Sequence, residues 1–351
     1  MATESVVTNG AANGHTADGP LLNGNHSISA TNGSFHPPSG SRNPLRPGIY
    51  CPVLTFFDAD DNLDLQAIGA HSVRLAQAGL VGIVTMGSNG EAVHLTRAEK
   101  VIVTRTVRAA LDQAGFSHIP IMVGTSEQSV TLTLDLIHES AAAGGEYALL
   151  VPPSYYRAAM DDAAIYTYFT SVASASPIPL VLYNYPGAVA GIDMDSDLLI
   201  RICQHPNIVG CKFTCGNNGK LTREAKGIPY MAFGGMADFT LQTFVSGGSG
   251  IIAGGANVFP KTCVRVWKAM ESLSSSPDPL ATLSEAARLQ RVLSTGDWVL
   301  TKSAIPGTKS ALQSYFGYGG FPRAPLKRLD EVEALRIKDA TTELWALEAA
   351  L

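Results

Sequence analysis

The chain has 351 residues, 46% of them hydrophobic, and a net charge of -5 from 25 basic and 30 acidic side chains. That apolar share suffices for a large buried core. The acidic balance, with no basic block, argues against nucleic acid and anionic membrane as partners. Five cysteines, at positions 51, 203, 211, 215 and 263, follow no staple-like spacing and suit a reducing compartment.

Residues 1–46 are rich in Asn, Gly, Ser, His, Thr and Ala and poor in large apolar groups, so they read as a disordered tail. No positive segment followed by an apolar run opens the chain, which argues against a secretory signal. The first 40 residues hold no Arg or Lys, which argues against a mitochondrial leader, so a cytoplasmic protein is expected.

Beyond the tail, short apolar runs alternate with longer amphipathic ones. The apolar runs are Tyr50–Phe56, Gly82–Met86, Ile119–Val123, Tyr147–Val151, Pro179–Tyr183, Ile208–Lys212, Tyr230–Phe233 and Gly250–Ala253. None alternates cleanly, the pattern of strands covered on both faces. Helical spacing marks Leu63–Gln77, Thr96–Ala114, Ser129–Ala143, Met160–Ser174, Ser196–Gln204 and Phe239–Ser246, and Thr96 with Glu99 has the form of a capping box. The repeat predicts an α/β fold, a (β/α)8 TIM barrel over residues 47–275. An open doubly wound sheet lacks its Gly-x-Gly-x-x-Gly turn here. Pro260–Glu271, Thr282–Leu293, Val299–Gly317 and Leu329–Leu351 read as helices, so residues 276–351 form extra C-terminal helices.

A barrel of this kind carries its chemistry at the C-terminal strand ends. After the second strand comes Gly87-Ser88-Asn89-Gly90-Glu91, either a simple turn or a nest of N–H groups suited to a carboxylate. Glu91, a lone acid beside glycines, reads as a turn or cap partner rather than a metal ligand. Cys211 and Cys215 with His205 fit no zinc motif and read as core or site-lining thiols. The fourth strand runs into Tyr155, Tyr156 and Arg157, and the fifth into Tyr183-Asn184-Tyr185-Pro186. The sixth holds Lys212 between Cys211 and Phe213. Burial disfavours an ammonium, and a neutral amine attacks carbonyls. The other reading is a lysine that snorkels to the rim or pairs with a carboxylate. Lys220 and Lys226 lie in a polar stretch and read as surface residues. Gly234-Gly235 and Gly254-Gly255 end the last two strands.

From Gly48 to about Leu326 the chain resembles the dihydrodipicolinate synthase and N-acetylneuraminate lyase superfamily, with matches in order at five strand ends. The resemblance implies a Schiff-base aldolase, a carbon–carbon lyase that needs no cofactor or metal. It implies Lys212 as the Schiff-base lysine, Tyr183 as the proton relay and Ser88 as the hydroxyl linking the tyrosines. It implies Ser88 and Asn89 as the seat of the 2-oxo acid carboxylate. Tyr155 matches the tyrosine that enters the partner subunit's site in a homotetramer, and Gly235 and Ile252 match pocket positions. Thr214 and Arg157 are the further candidates near the substrate. The arginine expected two residues beyond the strand-five proline is absent, since Gly187 and Ala188 follow Pro186, which argues against lysine biosynthesis.

The turn at Ser88, together with the blocks Ser176–Tyr183, His205–Gly210 and AIPGTKSALQSYFGYGGFPRAPL (Ala304–Leu326), is similar to 4-hydroxy-2-oxoglutarate aldolases. KFTCGNNGKLTR (Lys212–Arg223) and ANVFPKT (Ala256–Thr262) are similar to fungal 2-keto-3-deoxy-L-galactonate aldolases. The resemblance therefore implies cleavage of 4-hydroxy-2-oxoglutarate to pyruvate and glyoxylate in the first place. The galactonate derivative, giving pyruvate and L-glyceraldehyde, is the alternative. Two other classes stay open: a related synthase or hydratase, which would release no aldehyde, and a non-enzymatic 2-oxo acid binding barrel, which would form no covalent adduct.

Overall fold

Each apolar run becomes a strand of one parallel sheet. The computed structural model describes residues 43–224 and 230–351. Within them lie β1 (Gly48–Pro52), β2 (Gly82–Thr85), β3 (Ile121–Gly124), β4 (Tyr147–Leu150), β5 (Leu180–Asn184), β6 (Ile208–Phe213), β7 (Met231–Gly234) and β8 (Gly250–Ile252). They pair in chain order, and β8 returns to β1, with Gly48 opposite Gly250, so the sheet closes into a barrel. Every strand residue is buried, which is why no strand alternates polar with apolar. The interior is filled by Tyr50, Val84, Met122, Tyr147, Leu149, Val181, Val209, Met231, Phe233 and Ile252, with Tyr50 edge-on to Phe233 at 5.1 Å.

The outer layer is α1 (Leu65–Gln77), α2 (Arg97–Gln113), α3 (Val130–Ala142), α4 (Asp162–Ala175), α5 (Ser196–Ile202), α6 (Asn218–Glu224), α7 (Thr240–Val245) and α8 (Pro260–Glu271). Asp64, Ser129, Asp161 and Asp195 each cap a helix with a side-chain oxygen, and Thr96 and Glu99 form the expected capping box. Helix α6 has no clear helical pattern in its Gly- and Asn-rich sequence. It forms because Leu221, Lys220 and Glu224 find buried places. Lys220 is therefore not a surface residue: its ammonium lies 2.5 Å from Asp193 and 2.6 Å from the Met194 carbonyl. Lys226 lies outside the described residues.

The C-terminal segment forms α9 (Pro279–Phe316), α10 (Glu331–Ala340) and α11 (Thr342–Ala350). The break expected near residues 294–298 does not occur. Gly296 stays helical because α11 packs there, and a Cβ on it would meet Leu344 at 2.4 Å. The interruption comes instead at Ala304 (φ 51°, ψ -150°), just before Pro306, which has no N–H to give to the preceding turn. Of the expected tail, residues 1–42 lie outside the described residues. Asn43 and Leu45, by contrast, are engaged with the barrel. The Asn43 N–H donates to Glu146 at 2.8 Å, and Leu45 is buried below the barrel interior.

The turn after β2 is held from the C-terminal segment. Glu91 has a left-handed backbone (φ 54°) and is buried. Its carboxylate lies 2.5 Å from the Lys309 ammonium and accepts the Arg323 N–H at 3.0 Å. Arg323 also grips Glu99 through two N–H groups at 2.9 Å each. Burial lowers the Lys309 pKa to about 8 despite the opposing pull of Glu91. Removing one partner of such a pair strands the other charge in a dry place. Lys309→Met should lower unfolding stability in urea by about 3–5 kcal/mol, and adding Glu91→Gln should restore a large part of that loss. A single variant with unchanged stability would show that the pair does not hold this turn.

Candidate active site

Strand β6 places Lys212 beside Tyr183 of β5, the two residues being register partners. The Lys212 ammonium lies 4.2 Å from the centre of the Tyr183 ring, and Tyr185 stacks on that ring at 5.6 Å. Three lysines in the described residues are buried: Lys212 and Lys220 at 4% exposure and Lys309 at 0%. Asp193 neutralises Lys220 and Glu91 neutralises Lys309. Among the described residues no ion pair or hydrogen bond reaches the Lys212 amine. It neither snorkels nor pairs, so both structural readings of it fall away. Its amine opens instead on a cavity.

That cavity has a volume of about 430 Å³, within the range of sites that enclose a small molecule. On the barrel side it is lined by Ser88, Asn89, Tyr183, Tyr185, Lys212, Thr214 and Gly235, with Met236, Gly254 and Gly255. Ser88 and Asn89 lie in a short helical turn bracketed by positive backbone angles at Met86 (φ 55°) and Glu91 (φ 54°). Such conformations cost about 1–3 kcal/mol each and persist here because buried contacts hold both ends. The Thr214 hydroxyl is buried without a hydrogen-bond partner among the described residues.

Six of the expected site residues thus share one cavity: Lys212, Tyr183, Ser88, Asn89, Thr214 and Gly235. Three are not among its lining. Ile252 points into the barrel interior and is fully buried, because a residue at that strand position faces the packed core below the mouth. Tyr155 is 80% exposed, and Arg157, also exposed, directs its guanidinium at the Met160 carbonyl. Both belong to the loop after β4, on the surface of this chain.

The other wall comes from α9, which sequence patterning did not connect with the site. Asp297, Trp298, Leu300, Thr301, Ala304, Ile305 and Thr308 line it. Their spacing is that of one helical face continued across the kink. The signal was there in part: an acid and a tryptophan, GDW, in a stretch that breaks the apolar period, and a proline inside the following helix. Burial, and then the nearby Asp238 carboxylate, push the Asp297 pKa up to about 7. Burial raises Asp238 as well. Burial also raises the Tyr185 phenol. An unpaired amine, a phenol beside it, a polar turn and one strained wall suit covalent capture of a carbonyl.

The Dihydrodipicolinate synthetase family matches residues 46–343. The "L-threo-3-deoxy-hexylosonate aldolase" of Aspergillus niger is 57% identical over 328 residues, covering 85% of this chain and 96% of that protein. The "Probable 4-hydroxy-2-oxoglutarate aldolase, mitochondrial" of Emericella nidulans is 44% identical, covering 88% of this chain and 98% of that protein. A crystal structure of a dihydrodipicolinate synthase family protein from Coccidioides immitis is 34% identical with a TM-score of 0.77, over 87% of this chain and 98% of that one. The chain belongs to the dihydrodipicolinate synthetase family, as a Schiff-base carbon–carbon lyase that acts on a 2-oxo acid.

Proposed function

We propose that the chain cleaves a six-carbon 3-deoxy-2-oxo sugar acid between C3 and C4, giving pyruvate and glyceraldehyde. The observation that carries this is the charge of the cavity. Among the described lining residues no basic side chain other than the nucleophile Lys212 is present. A 4-hydroxy-2-oxoglutarate substrate brings a second carboxylate, which calls for a donor such as arginine. A sugar-acid tail brings hydroxyls instead. The higher identity to the Aspergillus niger protein, 57% against 44%, supports the same choice. The order of preference drawn from the strand-end motifs is thereby reversed.

In the mechanism, Ser88 and Asn89 with their N–H groups take the substrate carboxylate. The Lys212 amine adds to the C2 ketone, and Tyr183 supplies the proton with which water leaves, so that an imine forms. The Tyr183 phenolate so formed takes the proton of the C4 hydroxyl, the C3–C4 bond breaks, and its electron pair moves into the protonated imine. Glyceraldehyde departs. The remaining enamine takes that proton from Tyr183 at C3, and a water molecule hydrolyses the resulting imine, returning the lysine and releasing pyruvate. We also place the protein in the cytoplasm as a homotetramer in which Tyr155 serves the neighbouring subunit. The support for that assembly is the exposure of Tyr155 and Tyr156, at 80% and 74%, in edge-to-face contact.

Lys212→Ala should end pyruvate release while the circular dichroism spectrum stays that of the parent. Tyr183→Phe should slow turnover by about 10²–10⁴-fold. A Lys212→Ala protein with near-parental activity would remove the covalent path from the account. The substrate half is tested in the condensation direction. With pyruvate as donor, kcat/KM for L-glyceraldehyde should exceed that for glyoxylate, and the opposite ranking would return the assignment to 4-hydroxy-2-oxoglutarate.

A further inference from the structure

The barrel ends explain how a 2-oxo acid is held at its reacting end, but they leave the other end of the substrate without a partner. In the mechanism proposed above, Ser88, Asn89, Tyr183 and Lys212, all in the lining, are engaged by the carboxylate and C2. Thr214 and Tyr185 on the barrel side and the face of α9 opposite remain, and the polar groups that α9 adds at the start of the cavity are Asp297 and, one helical turn later, Thr301. Asp297 is buried at 4% exposure yet reaches the cavity. One carboxylate oxygen accepts the Asp238 N–H at 3.1 Å, which fixes the side chain's direction. The other lies against Gly255, where any Cβ would approach it to 2.2 Å. A glycine at that place lets the carboxylate stand at the end of β8 rather than fold back on its own helix. A carboxylate held in this way is an acceptor for hydroxyl groups and an unfavourable neighbour for a second carboxylate.

From this geometry we infer that Asp297, assisted by Thr301, binds the hydroxyls of the aldehyde half and sets the preference for a polyhydroxylated tail over an acidic one. The inference rests on the sugar-acid reading given above and names the residue that would enforce it. The carbons beyond the broken bond, C5 and C6, each carry a hydroxyl in a six-carbon sugar acid. In 4-hydroxy-2-oxoglutarate the same region is a carboxylate. The kink at Ala304 serves the same end. It turns the chain so that Thr308 continues the wall that Asp297 and Thr301 begin.

The test is pyruvate release by the full chain at pH 8 from the 3-deoxy-2-oxo hexonate and from 4-hydroxy-2-oxoglutarate, for the parent, Asp297→Asn and Thr301→Val. Asparagine keeps an oxygen for the Asp238 N–H, so the wall is preserved while the charge is removed. The ratio of kcat/KM for the sugar acid to that for 4-hydroxy-2-oxoglutarate should fall about 10- to 100-fold in Asp297→Asn. The loss should appear mainly in KM for the sugar acid, and borohydride should still trap pyruvate on the variant. Thr301→Val should lower the same ratio by a smaller factor, and it carries the test if Asp297→Asn does not fold. A parent enzyme that prefers the sugar acid, with variants that keep its ratio, overturns the role of Asp297 alone. A parent that prefers 4-hydroxy-2-oxoglutarate overturns the sugar-acid reading and this inference together.

Discussion

Taking an ammonium out of water without a counter-charge is among the less favourable things a fold can do. Among the described residues this fold buries three lysines and compensates two of them. Lys309 meets Glu91 where the C-terminal segment joins the barrel, and Lys220 meets Asp193 beside β5. Lys212 is left with an aromatic face and a cavity. The difference is enforced by the barrel. All six residues of β6 are buried, so a long side chain at position 212 has only the strand-end mouth as an outlet. A carboxylate there would satisfy the amine and end its usefulness as a nucleophile.

The same C-terminal segment that completes the cavity also holds the turn that opens it. Lys309 and Arg323 fasten Glu91, and Glu91 closes the turn that presents Ser88 and Asn89. A few residues earlier, across the kink at Ala304, α9 supplies Asp297 and Thr301 to the opposite function, the recognition of what leaves. Strained backbone at Met86 and Glu91 flanks the turn that carries Ser88 and Asn89, and the strained Ala304 itself lines the cavity. Strain of this kind collects where geometry is set by function and is offset by packing elsewhere. The family resemblance at the strand ends identifies the shared chemistry of the 2-oxo acid. Substrate choice sits in a helix outside the repeat.

How much of this could be read from the residues follows from the range of the forces involved. The strands were legible because a closed parallel sheet buries both faces of each strand and leaves unbroken apolar runs, as in Leu180–Asn184. Helix starts were legible because caps are local, and Thr96 with Glu99 needs only four residues. Lys212, a lysine inside such a run, allows two readings, and Tyr183 takes its proposed role from the family resemblance at the strand ends. What was not legible depends on partners distant in sequence. Lys220 looked solvated because its neighbours in the chain are polar, but its carboxylate comes from residue 193. The local pattern breaks α9 between Leu293 and Val299 because nothing nearby in sequence announces Leu344, which packs on Gly296. Asp297 is hidden from the sequence for the same reason, since its place beside Gly255 and Asp238 exists only after α9 packs over the barrel mouth.

The central claim is that an uncompensated lysine inside the barrel captures a 2-oxo acid. The most direct measurement is to incubate the full chain with pyruvate, reduce with borohydride and determine the mass of the intact protein and of its Lys212 peptide. The account expects one pyruvyl group, attached at Lys212 and at neither of the two buried lysines that have carboxylate partners. Absence of any adduct, under conditions that label another member of the family, would contradict it, as would an adduct on Lys220 or Lys309.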